Sequence, residues 1–222
     1  MPRKRYQDQL RQLRGEVAAL GDMVLDRYEL ALDVLETGDS MTATRVIDGD
    51  ESINEWFLDI EDQCTELITL QQPVAGDLRM ITASFKILTD LERVGDLATN
   101  LARYGHEASG ELATSVNLTP IAEVAGKMVA DAMDAYAKDD ADRARAVATR
   151  DNKLDRQCTT ASEAIARRLL EDYEHTIDVD ALLDQISRAL LTVRDLERVG
   201  DHAVNICSRT VYMVENDDEL IY

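Results

Sequence analysis

Apolar residues recur along this chain at gaps of three and four, over stretches far longer than a strand. From Gln7 to Glu36 the series is Leu10, Leu13, Val17, Leu20, Val24, Tyr28, Ala31 and Leu35, which lays one buried stripe along a helix. Thr37-Gly38-Asp39-Ser40 interrupts it, with Gly38 suited to end one helix and Asp39 or Ser40 to cap the next. A second helix is predicted over Met41 to Leu70. It stops at Gln71-Gln72-Pro73, because proline disfavours helix at the residue before it. A third begins at Ala75 or Gly76 and runs to His106 through Leu78, Ile81, Phe85, Leu88, Leu91, Val94, Ala98 and Leu101. Residues 107–119 lose the rhythm and carry loop formers, so the chain is expected to divide into halves, 1–110 and 111–222. Thr119 is then an N-cap and Pro120 a first-turn residue for a fourth helix, Ile121 to Lys138, through Val124, Met128, Met133 and Tyr136. The fifth and sixth cover Asp140 to Tyr173 and Val179 to Glu215, and the tail Asn216 to Tyr222 is expected to fray. The pattern predicts an all-α chain of six helices in two antiparallel three-helix bundles.

The halves are copies. Asp90-Leu91-Glu92-Arg93-Val94-Gly95-Asp96 returns intact as Asp195-Leu196-Glu197-Arg198-Val199-Gly200-Asp201, and Asn100 and Asn205 follow each copy at the same distance. A repeat of that length marks a tandem duplication with pseudo-symmetric halves. At about 100° per residue, Glu92 and Asp96 continue the line of Leu78, Ile81, Phe85 and Leu88, and are therefore expected to point into the bundle. Glu197 and Asp201 stand likewise to Leu183, Ile186, Leu190 and Val193. On the second helix Asp50 and Asn54 share an azimuth with Val46, Phe57, Cys64 and Ile68. On the fifth, Asp151 and Asp155 lie among Ala144, Val147, Cys158, Ile165 and Leu169. The helix-five motif follows its counterpart by four residues fewer than the helix-six motif does, so a longer loop is expected between helices five and six.

Each half thus aims an acid or amide pair at a Glu-x-x-x-Asp pair. Carboxylates sharing a poorly hydrated site must protonate, pair with cations or bind metal. Arg93 and Arg198 turn about 100° away along the helix, which weakens the ion-pair solution. An oxygen-only donor set suits a hard cation, Mg²⁺, Mn²⁺, Ca²⁺ or iron, and Zn²⁺ also accepts carboxylates. The structural alternative is a solvated face whose acids pair with arginines of neighbouring helices. His202 lies beside Asp201, where the first half has Leu97, and a lone histidine there is a hydrogen-bonding neighbour before it is a ligand. Asn100 and Asn205, one turn on, are candidates for support or outer ligation.

Composition narrows the function further. The chain has 222 residues, 45% hydrophobic and 31% charged, with 10 Gly, 3 Pro and 5% aromatics, which suits long helices around a real core. The formal charge of -20, from 44 acidic and 24 basic side chains, resembles salt-adapted proteins and argues against direct nucleic-acid binding. Three cysteines, Cys64, Cys158 and Cys207, have no metal-ligand spacing and are expected as buried free thiols in a reducing cytosol. With no signal peptide or long apolar run, the chain is expected neither to be exported nor to insert in a membrane. No Glu-x-x-His pair, phosphate loop or nucleophile-base arrangement is present, so no enzyme is expected.

Leu70-Gln71-Gln72-Pro73-Val74-Ala75-Gly76-Asp77-Leu78-Arg79, the paired Asp-Leu-Glu-Arg-Val-Gly-Asp motifs and the duplication together resemble the PhoU family of phosphate-uptake regulators, over nearly the whole chain. The resemblance implies two pseudo-symmetric three-helix bundles side by side. It also implies a cytoplasmic negative regulator or adaptor that acts on the phosphate ABC transporter, chiefly its ATPase subunit. A phosphate-sensing histidine kinase is a second implied partner, and a homodimer is the implied assembly. Family members hold metal clusters through acidic motifs. Carried over by position, the ligands are Asp50, Asn54, Glu92 and Asp96 in one half, and Asp151, Asp155, Glu197 and Asp201 in the other. Asn54 in place of an acid and Leu97 in place of a histidine predict weaker metal binding in the first half. Two other readings stand beside this one: a metal-dependent phosphohydrolase, since paired carboxylates can hold two metals, and a helical scaffold whose acids are only structural.

Overall fold

The spacing of apolar residues in the first third produces one long helix, α1 (Pro2–Thr37). Leu10, Leu13, Val17, Leu20, Val24, Tyr28 and Ala31 are all buried along it, and the stripe closes on Val34, with Leu35 only partly covered. Gly38, with φ at 67°, ends this helix, and the Asp39 side chain accepts from the Thr42 amide at 2.8 Å to start the next. The computed structural model describes residues 2–108, 116–173 and 178–220. The remaining elements are α2 (Ser40–Asp48), α3 (Asp50–Gln71), α4 (Ala75–Glu107), α5 (Thr119–Lys138), α6 (Ala141–Ala148), α7 (Asp151–Tyr173) and α8 (Val179–Glu215). The six expected helices are present, but the second and fifth are each broken once, at Gly49 and at Thr149–Arg150.

Those two breaks sit at equivalent places, and each is tied to the first helix of its own half. In the first half the buried Arg27 of α1 donates to the Val46 carbonyl at the end of α2 and to Thr99 of α4. In the second, Asp131 of α5 accepts from Arg143 in the first turn of α6 and from Arg150 at the break. Arg27 thus supplies a partner to a carbonyl at the helix end, which would otherwise lack one, whereas Asp131 holds the second break through side chains alone. The consequence for the site is direct: Asp50 and Asp151 become first-turn residues of new helices, where the helix dipole favours negative charge.

Helices α1, α3 and α4 pack together, as do α5, α7 and α8, and the halves meet through α4 against α8 and α1 against α5. The buried side chains form one core that runs through both. Gly105 lets α4 lie against α1, since a Cβ there would stand 2.6 Å from the Val34 carbonyl oxygen. Buried tyrosines stitch the halves: Tyr28 donates to the Ala122 carbonyl at 2.9 Å, and Tyr136 and Ser84 share a hydrogen bond of 2.6 Å. Cys64, Cys158 and Cys207 are buried free thiols, each pushed up to about 12 by burial.

Three expectations are corrected. Leu78 and Phe85 do not belong to the buried stripe: they are 40% and 37% exposed, as Leu183 and Leu190 are at 45% and 38%. The arc of α4 that packs against α1, α3 and α8 is centred on Leu91, Val94 and Ala98, so Leu78 and Phe85 fall beyond its edge. Leu183 and Leu190 fall beyond the equivalent arc of α8, centred on Leu196, Val199 and Ala203. The tail does not fray from residue 216. Arg145 pairs with Glu215, Asp217 and Glu219, and Leu220 packs on the core. Thr119 is the first residue of α5 rather than its cap, and its amide donates to the Asn117 side chain. The expected half boundary at 110/111 and the extra residues between α7 and α8 fall on 109–115 and 174–177, outside the described residues.

Candidate functional site

In the second half, α7 opens with Asp151 and carries Asp155 one turn on, while the middle of α8 carries Glu197 and Asp201. Gly200 permits their approach, because a Cβ there would collide with the Cδ2 atom of Leu154 and would stand 3.5 Å from Asp151 Oδ1. The four carboxylates act on one another. Burial, and then the charges of Asp155, Asp201 and Glu197, push Asp151 up to about 6. Glu197 is raised by burial and by Asp155 and Asp201. Asp201 is raised by burial and Asp155, against the opposing charges of His202 and Arg198. One oxygen of Asp151, Oδ1, is buried and has no hydrogen-bond partner.

That orphaned oxygen and an all-oxygen donor set fit a hard cation. As placed, however, no three described His, Cys, Asp or Glu side chains converge on a point from which they could hold an ion. The quartet is therefore brought together without being drawn in, and holding a metal requires its side chains to turn inward.

The first half differs. Glu92 and Asp96 lie at the rim of the buried arc of α4 rather than inside the bundle, with side chains 29% and 45% exposed. Glu197 and Asp201 are likewise exposed on α8, so the expected inward placement is corrected in both halves. The halves differ in the partners of these acids. Arg93 does not point away. Its Nε stands 3.6 Å from Glu92 and its Nη1 3.6 Å from Asp96, because a guanidinium on a flexible stem reaches across the angle that separates the positions. Asn54 is partly buried on α3, while the Asp50 side chain lies outside the described residues. Nothing described comes within 4 Å of a Cβ built on Gly95, so α3 does not press on this glycine as α7 does on Gly200. The structure assembles the second-half quartet and leaves the first-half pair engaged by arginine.

The supporting residues serve another purpose. His202 Nδ1 lies 2.9 Å from Asp90 Oδ1, and Asn205 donates to the same oxygen at 3.0 Å, across the seam between the halves. Asn100 accepts from Arg103 at 3.4 Å. Asp195, the counterpart of Asp90, is fully buried. It accepts from Tyr104 at 3.2 Å across the same seam and from Arg194 at 2.8 Å. Burial, followed by the Asp195 charge, raises the Tyr104 hydroxyl. Asp90 and Asp195 are seam residues the spacing argument missed. The available signal was that each motif opens on an aspartate about 160° around the helix from its glutamate, which a metal site does not need.

The PhoU domain family matches residues 17–105 and again 118–210. The chain belongs to the PhoU family. Two domain matches reproduce the internal repeat, one in each half. A Pseudomonas putida protein named phosphate-specific transport system accessory protein PhoU homolog is 33% identical over 97% of this chain and 82% of its own. The Escherichia coli K12 phosphate-specific transport system accessory protein PhoU is 30% identical, over 96% and 86%. The crystal structure of PhoU from Pseudomonas aeruginosa superposes with a TM-score of 0.87 at 31% identity, covering 96% of this chain and 100% of that one. These relatives are named as accessory proteins, and a Streptococcus pneumoniae structure (TM-score 0.82, 25% identity, 96% and 98% covered) as a phosphate transport system regulatory protein. No helix among the described residues is long and apolar enough to cross a membrane.

Proposed function

We propose that this protein is a cytoplasmic accessory regulator of a phosphate transport system, docking on the transporter's ATPase subunit and holding metal ions in its acidic motifs. The observation that supports it most is the match of both halves to one family whose named members are phosphate transport accessory proteins. A phosphate-sensing histidine kinase is a second partner in this reading, and a homodimer its assembly. Adaptor rather than catalytic work agrees with the names of the relatives.

A hard cation would supply charge neutralisation at the quartet. Asp151, Asp155, Glu197 and Asp201 would hold it, with Asp50, Asn54, Glu92 and Asp96 as the weaker counterpart. Arg93 must release Glu92 and Asp96 for the first half to bind, whereas no described cation bridges the second-half acids. Asp151 begins α7, so the helix dipole keeps its carboxylate available while its neighbours repel it. Metal identity among iron, Mn²⁺, Mg²⁺, Ca²⁺ and Zn²⁺ is decided by elemental analysis of the purified protein. The same measurement on a Glu92→Ala, Glu197→Ala double variant tests the assignment. Metal content should fall sharply, and equal content in the two proteins removes these residues as ligands.

A further inference from the structure

The exposed leucines and phenylalanine of α4 and α8 follow a rule. Relative to Phe85, the residues Val74, Leu78, Glu92 and Asp96 all lie within about 20° of one line down the helix. Val179, Leu183, Leu190, Glu197 and Asp201 repeat the line in the second half. Val74 is 69% and Val179 37% exposed, and the last turn of the helix before each row adds exposed Leu70 and Leu170. Packing does not explain this retention. An exposed neighbour has diverged between the copies, Thr89 against Arg194. In a chain of net charge -20, three solvent-facing positions have nevertheless stayed large and apolar in both halves.

The seam between the halves fixes how the rows are placed. Asp90 meets His202 and Asn205, and Tyr104 meets Asp195, so α4 and α8 run antiparallel with equivalent residues paired about a point near Leu97. Two antiparallel helices exchanged by a two-fold rotation require an axis normal to their common plane, and such a rotation keeps a face on the same side. Both rows therefore look out of one face. Their acid ends lie near its centre and their apolar parts point outward in opposite directions, the middle of Leu78–Phe85 about 45 Å along the helices from that of Leu183–Leu190.

We infer that this face is a two-point docking surface for a two-fold symmetric protein partner that offers the same amphipathic, basic-flanked helix twice. A second copy of this chain is a poor occupant, because it would set one central acid group against another. An anionic membrane surface is disfavoured by the same charge. With the acid ends free of metal, a partner with an apolar ridge and flanking lysine or arginine satisfies both parts of each row, so metal and partner compete for the same carboxylates. The inference rests on the reading that the chain docks on the transporter's ATPase subunit, and it adds the surface and the stoichiometry.

The test uses the full chain and the purified ATPase subunit of its own transporter, with mass by light scattering and affinity by interferometry. The variants are Leu78→Gln with Phe85→Gln, Leu183→Gln with Leu190→Gln, and all four together. One chain should bind two ATPase subunits. Either pair should weaken binding by roughly 10²- to 10⁴-fold, the gain expected from linking two contacts, and to a similar degree. Alanine versions of both pairs guard against a glutamine variant that misfolds, with helical circular dichroism as the control. A 1:1 complex, or sensitivity confined to one row or to neither, overturns the two-point surface and leaves the docking reading intact. No binding by the unmodified chain overturns the docking reading and this inference with it.

Discussion

Replacing Asp151 by asparagine should stabilise the metal-free protein at neutral pH, although it deletes a charged residue from the most acidic site. In the folded state Asp151 is pushed up to about 6, against an ordinary value of 3.8, by burial and by three carboxylate neighbours. Below about pH 4 the carboxyl is protonated in both folded and unfolded chains and costs nothing. Between about pH 4 and pH 6 the unfolded chain gives up the proton first, so stability falls as pH rises, and above about pH 6 the whole penalty applies. A rise from 3.8 to about 6 corresponds to about 3 kcal/mol before screening. Asp151 is only partly buried, and solvent roughly halves that figure. Losing a negative charge from the first turn of α7 costs back about 0.5 kcal/mol through the helix dipole. The net gain is about 1 kcal/mol, or a rise of about 2–4 °C in Tm for a chain of this size. The assay is thermal unfolding in chelator at pH 7 and pH 4, for both proteins, at low and at molar salt. The asparagine protein should melt higher at pH 7 and equal at pH 4, and molar salt should shrink the difference. A lower Tm at pH 7 in chelator, or a difference that ignores pH, would refute the account of a repulsive quartet.

Two further predictions concern packing rather than the site. Gly105→Ala should cost at least about 2 kcal/mol in urea unfolding, because the new methyl meets α1 backbone that cannot rotate away. Gly95→Ala should instead be neutral or gain up to about 1 kcal/mol from helix propensity, its Cβ meeting no described atom. At the seam, Asp90→Ala should cost about 2–3 kcal/mol, since two hydrogen bonds converge on its carboxylate. A cycle with Asn205→Ala should show coupling of about 1 kcal/mol or more, and strict additivity would deny that the two residues share one interaction.

The repeat, the helices and the acidic motifs were legible in the sequence because each is a local or periodic property. Apolar spacing reports a helical stripe wherever one side of the helix is buried, and an identical heptapeptide reports duplication without any knowledge of the fold. Periodicity also had a limit, visible at Leu78 and Phe85. It gives the angle between residues but not the width or centre of the arc that neighbours will cover. The same arithmetic that buried Leu88 therefore placed Phe85 inside, when the structure leaves it on the rim.

Only the tertiary structure decided what closes around the motif. Arg27 and Asp131, far from the breaks in sequence, bond the Val46 carbonyl at the end of α2 and the arginines Arg143 and Arg150 about the second break, beside the helix starts at Asp50 and Asp151. Arg93 folds back onto Glu92 and Asp96, while Leu154 under Gly200 brings α7 onto the second copy alone. His202 and Asn205 were expected beside Asp201 and instead hold Asp90 of the other half. These are contacts between residues with no fixed spacing along the chain. Their energies depend on distance and burial, which a one-dimensional pattern does not contain. The sequence by itself determined which residues are repeated, helical and charged. The fold determined that one aspartate of each motif locks the halves together while the glutamate and the other aspartate face outward.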